Sequence, residues 1–179
     1  MLKVTIPAAE QYDPIKNEFI YTKEQVLVME HSLLSLSKWE SKWKKPFLSD
    51  KPKTEEESLD YFKCMTITQN VDPNIYKVMP REIVEEISKY IEDLHTATWF
   101  REDGNSRSKE ILTSEVIYYA MFANGIDKEC ERWHLNRLLT LIRVFGEKNK
   151  EPKKMSKRQI YSQNRQLNAA RRKRYHSKG

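Results

Sequence analysis

The sequence predicts an α+β fold that is predominantly α-helical, with a small N-terminal β-hairpin or sheet, a helical body, and a basic C-terminal helix or disordered tail. Three observations carry this expectation. β-Branched and aromatic runs bounded by turn residues crowd into the first thirty positions. Apolar residues at helical spacing take over from about His31. Charge is also segregated: residues 148–179 hold 12 Lys/Arg and one acid, Glu151, whereas the other residues hold 20 Lys/Arg and 25 acids. The chain therefore divides into a β element (1–30), a helical body (31–147) of mildly acidic charge, and a strongly basic extension (148–179).

Each element has its own signal. "LKVTI" (Leu2 to Ile6), "EFIYT" (Glu18 to Thr22) and "QVLVMEH" (Gln25 to His31) read as strands, and "QYDPIKN" carries the turn signal Asp13-Pro14. Leu33, Leu36, Trp39 and Trp43 share a helix face, with Lys38, Lys42 and Lys44 on its rim, and Pro46 closes the helix. Thr54 and Glu57 have capping-box spacing for a helix that buries Leu59, Tyr61, Phe62 and Cys64. Pro80 suits the first position of a helix running to about Leu94, with Ile83, Val84, Ile87, Tyr90, Ile91 and Leu94 as its stripe.

"REDGNSRSKE" reads as a loop. A helix over about Thr113 to Ala123 follows, with Gly125 as its C-cap. Asp127 then caps "KECERWHLNRLLTLIRVF", which the pattern predicts as one continuous helix stopped by Gly146, with Trp133, Leu135 and Leu138 on its apolar face. The extension has helix formers, but Met155, Ile160 and Leu167 are too few to hold it. It is expected to fray, or to fold on a partner.

Composition narrows the function. At 179 residues the chain suits one domain with a tail, large enough to bury a core without metals or disulfides. It is polar, has no apolar run near the roughly 20 residues of a membrane span, and has no leader-like stretch in "MLKVTIPAAEQYDP", so a cytoplasmic, membrane-free protein is expected. Cys64 and Cys130 read as separate thiols.

Catalytic constellations are weak. Cys130 and His134 are spaced i, i+4, and His31, His95 and Cys64 could complete a zinc site, but no CxxC or HExxH pattern supports one, and a buried thiol beside an interfacial imidazole is the preferred reading. The carboxylate clusters at Glu55–Glu57, Glu85–Glu86 and Glu92–Asp93 read as solvated surface or helix-dipole partners. There is no GxSxG motif and no glycine-rich phosphate loop in a chain with only four glycines, so no enzyme and no cofactor are expected.

Two binding features remain. The tryptophan face Leu36/Trp39/Trp43, together with Trp133 and Leu138, reads as packed core or, where exposed, as a protein-docking surface, since tryptophan is enriched at interface hot spots. The tail, with Arg171, Arg172 and Arg174, suits an acidic protein partner, simple solubility or, less strongly, nucleic-acid phosphates. Tyr161, Tyr175 and His176 could stack on bases.

Several phrases, in this order, resemble a family of tailed-bacteriophage proteins from phages of Gram-positive hosts, the tail assembly chaperones: "HSLLSLSKWESKWKKPFL", "LDYFKCMTIT", "TATWF", "EVIYYAMFANGIDKECERWHLNRLLTLIRV" and "KKMSKRQIYSQNRQLNAARR". The resemblance runs from about Glu30 to Arg172, and the phrases carry no catalytic signature.

It implies a non-catalytic protein of the host cell cytoplasm, absent from the mature virion, that keeps the tape measure protein soluble while tail tube subunits assemble, with the tail tube protein as a second partner. Such genes often add a second domain by ribosomal frameshift, for which the codons of Lys153-Lys154 could serve. Rival readings are a structural tail or head–tail connector protein of the virion and a nucleic-acid-binding regulator acting through the basic tail. A homo-oligomer is compatible with any of them.

Overall fold

A computed structural model describes residues 1–13, 17–100, 111–149 and 157–176, with the side chains of Asp13 and Gln159 left aside. The expected loop "REDGNSRSKE" and the Lys153-Lys154 pair lie outside the described residues. The fold is α+β and mostly helical, in two compact units, Met1–Gly146 and Glu147–Gly179.

Four short strands open the chain. β1 (Leu2–Ile6) pairs antiparallel with β4 (Gln25–Met29), with Val4 opposite Leu27 and Leu2 opposite Met29. Val4, Ile6, Leu27 and Met29 are buried on one face, as period-2 alternation requires. β2 (Ala9–Asp13) pairs with β3 (Glu18–Thr22) in a separate two-stranded sheet. Its outer face carries Tyr12, Phe19 and Tyr21, all exposed, with ring centroids 5.2 and 6.3 Å apart in sequence order. The "QYDPIKN" stretch thus begins inside a strand. "AEQYD" is too polar to announce one, and its strand character comes from pairing with β3.

α1 (Leu33–Trp43) starts at Ser32, whose side chain and that of Ser35 form a reciprocal capping box, and ends at Lys44 in the left-handed region. α2 (Glu55–Met65) starts at the Thr54/Glu57 capping box that the sequence signals. Past its end, the chain runs beside β4: Glu30 N–H donates to Met65 O and Ile67 N–H to Val28 O, both at 2.8 Å. A 3-10 turn (Pro73–Tyr76) leads to α3 (Arg81–Glu92), for which Pro80 is the N-cap residue rather than the first helical one. α4 (Ser114–Ala123) is capped by Thr113.

The predicted helix from Lys128 is broken. Lys128–Arg132 is a 3-10 turn, Trp133 is extended, and α5 (Leu135–Lys148) begins only after His134. The cause is tertiary. Ser32 and His134 form an antiparallel bridge, and Leu135 N–H donates to His31 O at 2.9 Å. These bonds tie the segment to the β4–α1 junction and override its helical pattern. Gly146 does not stop α5, which runs through it.

Helices and strands share one core. Leu33, Leu36 and Trp39 from α1 meet Tyr61, Phe62 and Met65 from α2, Ile87 from α3, Ile117 and Met121 from α4, and Leu135 and Leu138 from α5, with the β1–β4 side chains in the same cluster. The N-terminal strands are therefore part of the helical body's packing. In the second unit, α6 (Lys157–Tyr175) is a 19-residue helix whose described side chains are all exposed.

Candidate functional site

The two tryptophans of α1 have different environments. Trp39 is 2% exposed; its Nε1–H donates to Glu57 O at 2.8 Å, and its ring meets Phe47 edge-on at 5.0 Å. Leu36 and Leu138 are fully buried. As docking residues, Leu36, Trp39 and Leu138 are therefore corrected: their side chains fill the core and present nothing to a partner. Trp43 is half-buried, stacks on Trp39 at 6.0 Å, and donates Nε1–H to Asp60 Oδ2 at 2.9 Å.

Two lysine ammonium groups lie over Trp43. Lys42 pairs with Asp60 and Lys45 with Glu57, and both ammonium groups lie over the Trp43 ring at 5.8 and 5.6 Å. Glu57 is buried, not solvated as its cluster suggests, and its carboxyl is held below the usual range by Lys45 and then by the Thr54 backbone. Burial pushes the Asp60 carboxyl up, but bonds from Lys42 and Trp43 outweigh it, and the net shift is down. Trp133 is half-buried, with the Arg137 guanidinium 4.1 Å over its ring.

An apolar groove lies beside this cluster. α2 and α3 enclose a groove of about 510 Å³ whose floor includes Leu59, Phe62, Val84 and Ile91. Lys53, Glu55 and Glu92 lie on its walls. The Lys53 ammonium sits 4.2 Å over the Phe47 ring, and burial lowers its pKa. The sequence places Leu59, Val84 and Ile91 on apolar helix faces, but a groove between two such faces depends on how α2 and α3 are packed, which no local signal encodes.

A second site is polar. The rings of His31, His95 and His134 form a chain, with centroids 5.0 Å apart for His31–His134 and 4.1 Å for His95–His134. His31 Nδ1 bonds the Tyr61 hydroxyl at 2.6 Å, and His134 Nε2 bonds Tyr90 O at 2.9 Å. Burial, then the neighbouring imidazoles His134 and His95, lower the His31 pKa to about 3. Burial likewise lowers His134.

A recess of about 260 Å³ adjoins the chain of rings, lined by Glu30, His95, Arg132 and Arg137 among others. Two atoms here, Glu30 Oε1 and His134 Nδ1, are buried without a hydrogen-bond partner. Burial raises the Glu30 carboxyl. Among the described residues no group of His, Cys, Asp and Glu side chains is placed to hold a metal ion. The helical Cys130/His134 spacing is lost with the break before α5, and Cys64 and Cys130 are free thiols. Of the predicted tail residues, Arg171, Arg172 and Arg174 are exposed on α6.

Among the described residues no helix is long and apolar enough to cross a membrane. No protein-family model matches the chain, and no curated protein or solved structure matches it either.

Proposed function

We propose that this protein is a non-catalytic tail assembly chaperone of a tailed phage, one that binds the tape measure protein by seating an amphipathic helix of it in the groove between α2 and α3. The groove is the observation that carries the reading: an apolar floor of Leu59, Phe62, Val84 and Ile91 with charged walls, the lining that an amphipathic helix's apolar face matches. The resemblance of the Glu30–Arg172 phrases to that family supports the partner's identity. Binding of this kind is reversible because the groove is open and its charged walls keep it wet.

The test is co-expression with the tape measure protein, comparing the wild type with Ser88→Arg. Ser88 is half-buried at the groove, and an arginine there fills it while leaving the core side chains in place. The wild type should retain the tape measure protein on affinity capture and keep it soluble; Ser88→Arg, with an unchanged melting temperature, should do neither. Equal capture by both proteins, or stoichiometric recovery of the chain in purified virions, would refute the proposal.

A further inference from the structure

The second unit carries a surface that the groove does not use. We infer that α6 is a helix that enters the major groove of double-stranded DNA, a role independent of the groove between α2 and α3. Lys157–Tyr175 contains seven Lys/Arg residues and no acid. On most exposed helices, acids at i±3 or i±4 offset such charge; here none exists, and Arg171 and Arg174 sit at a mutually repulsive i, i+3 spacing. No described side chain of α6 is buried, so packing does not offset the repulsion either. A polyanion would supply what the sequence omits.

The distribution of charge around the helix selects the polyanion. At about 100° per residue, Lys157 and Arg171 fall in one quadrant, and Arg158, Arg165 and Arg172 in the next. Lys173 and Arg174 occupy the remaining two. A flat acidic protein surface is met by a one-sided basic stripe. Cations on all sides suit a helix with phosphates on both flanks, as in a duplex groove.

The dimensions agree. A helix is about 10–12 Å across with its side chains, and the major groove of B-DNA is about 12 Å wide. A-form RNA has too narrow a major groove for this. At about 1.5 Å per residue α6 is about 28 Å long, the length of about eight base pairs. One face carries Tyr161, Asn164, Arg165, Asn168 and Arg172. Asn and Arg are the side chains that pair bidentately with adenine and guanine edges.

The experiment is fluorescence anisotropy of a labelled 20-base-pair duplex of mixed sequence, titrated with the full chain from 50 to 200 mM salt. Affinity should fall about 10³-fold over that range, as counterion release at several phosphates requires. The triple variant Arg171→Gln/Lys173→Gln/Arg174→Gln, which spares the face offered to base edges, should lower the slope of log affinity against log salt by about 3. Its thermal melt should be unchanged, because these side chains are exposed. Absence of binding at 50 mM salt overturns the inference, as does an unchanged slope in the variant. Equal affinity for polyglutamate or for single-stranded DNA also overturns it, because either shows a general polyanion site in place of a groove-reading helix.

Discussion

The Glu40 carboxylate accepts the backbone N–H of Ser114, 74 residues further along the chain, at 2.7 Å. Its other oxygen accepts Phe47 N–H at 2.8 Å, and the side chain is buried. One carboxylate thereby joins α1, the turn after it, and the N-terminus of α4, where its charge also complements the helix dipole. Glu40→Ala leaves two buried N–H groups without acceptors and should destabilise the fold by about 3 kcal/mol. Glu40→Gln keeps one acceptor oxygen and should cost less. Urea unfolding of the three proteins at pH 7 checks the order; equal midpoints would refute it.

The histidine chain makes stability depend on pH. The His31 pKa is lowered to about 3 in the fold, from an ordinary value of 6.5, so the unfolded chain binds the extra proton between those limits. Stability is therefore full above pH 6.5 and falls as pH drops toward 3, by about 1.4 kcal/mol per pH unit for this group alone. His134, also lowered, adds a loss of the same sign. Glu57 and Asp60, held low by Lys45 and Lys42, lose their contributions as pH falls through their folded pKa values. His31→Leu removes the first loss only. The stability difference between wild type and variant should shift steadily in the variant's favour from pH 6.5 to pH 4. A pH-independent difference would contradict the assignment.

Much of this architecture can be read locally. Thr54 with Glu57 and the runs of β1, β3 and β4 mark their elements because caps and alternation act over a few residues. The break at Trp133–His134 is different. Trp133, Leu135 and Leu138 continue a helical spacing, and only the distant partners His31 and Ser32 decide otherwise. The candidate site follows the same rule. Trp39 and Trp43 are spaced i, i+4, yet α2 and Phe47 bury the first while the second stays half-buried beneath two lysine ammonium groups. Leu59, Val84 and Ile91 are legible as apolar faces, but the groove they form depends on the packing of α2 against α3. Nothing local marks the role of Glu40, because the N–H groups that its carboxylate accepts lie 7 and 74 positions away.

The tryptophans should respond unequally to substitution. Trp39 fills the core and bonds Glu57 O, so Trp39→Ala should cost about 3–5 kcal/mol. Trp43→Phe keeps a ring beneath the lysines and loses only the Nε1–H bond to Asp60, costing about 1 kcal/mol. Denaturant unfolding separates the two. A larger loss for Trp43→Phe would mean that the half-buried ring, and not Trp39, anchors α1 on α2.

The two described glycines predict opposite effects of adding one methyl group. Gly125 follows α4 with φ +66°, and its N–H donates to Phe122 O while Ile126 N–H donates to Met121 O. This is a Schellman ending, which needs the left-handed conformation at Gly125. An alanine Cβ would meet nothing within 4 Å there, so the penalty of Gly125→Ala is conformational, about 1 kcal/mol. Gly146 lies inside α5 with equally open space around its missing Cβ. Gly146→Ala therefore removes only the helix penalty of glycine and should stabilise by about 0.5–1 kcal/mol. Thermal melts should move in opposite directions. If Gly146→Ala lowered the melting temperature, α5 would have to end before Gly146, where a glycine stop was expected from the sequence.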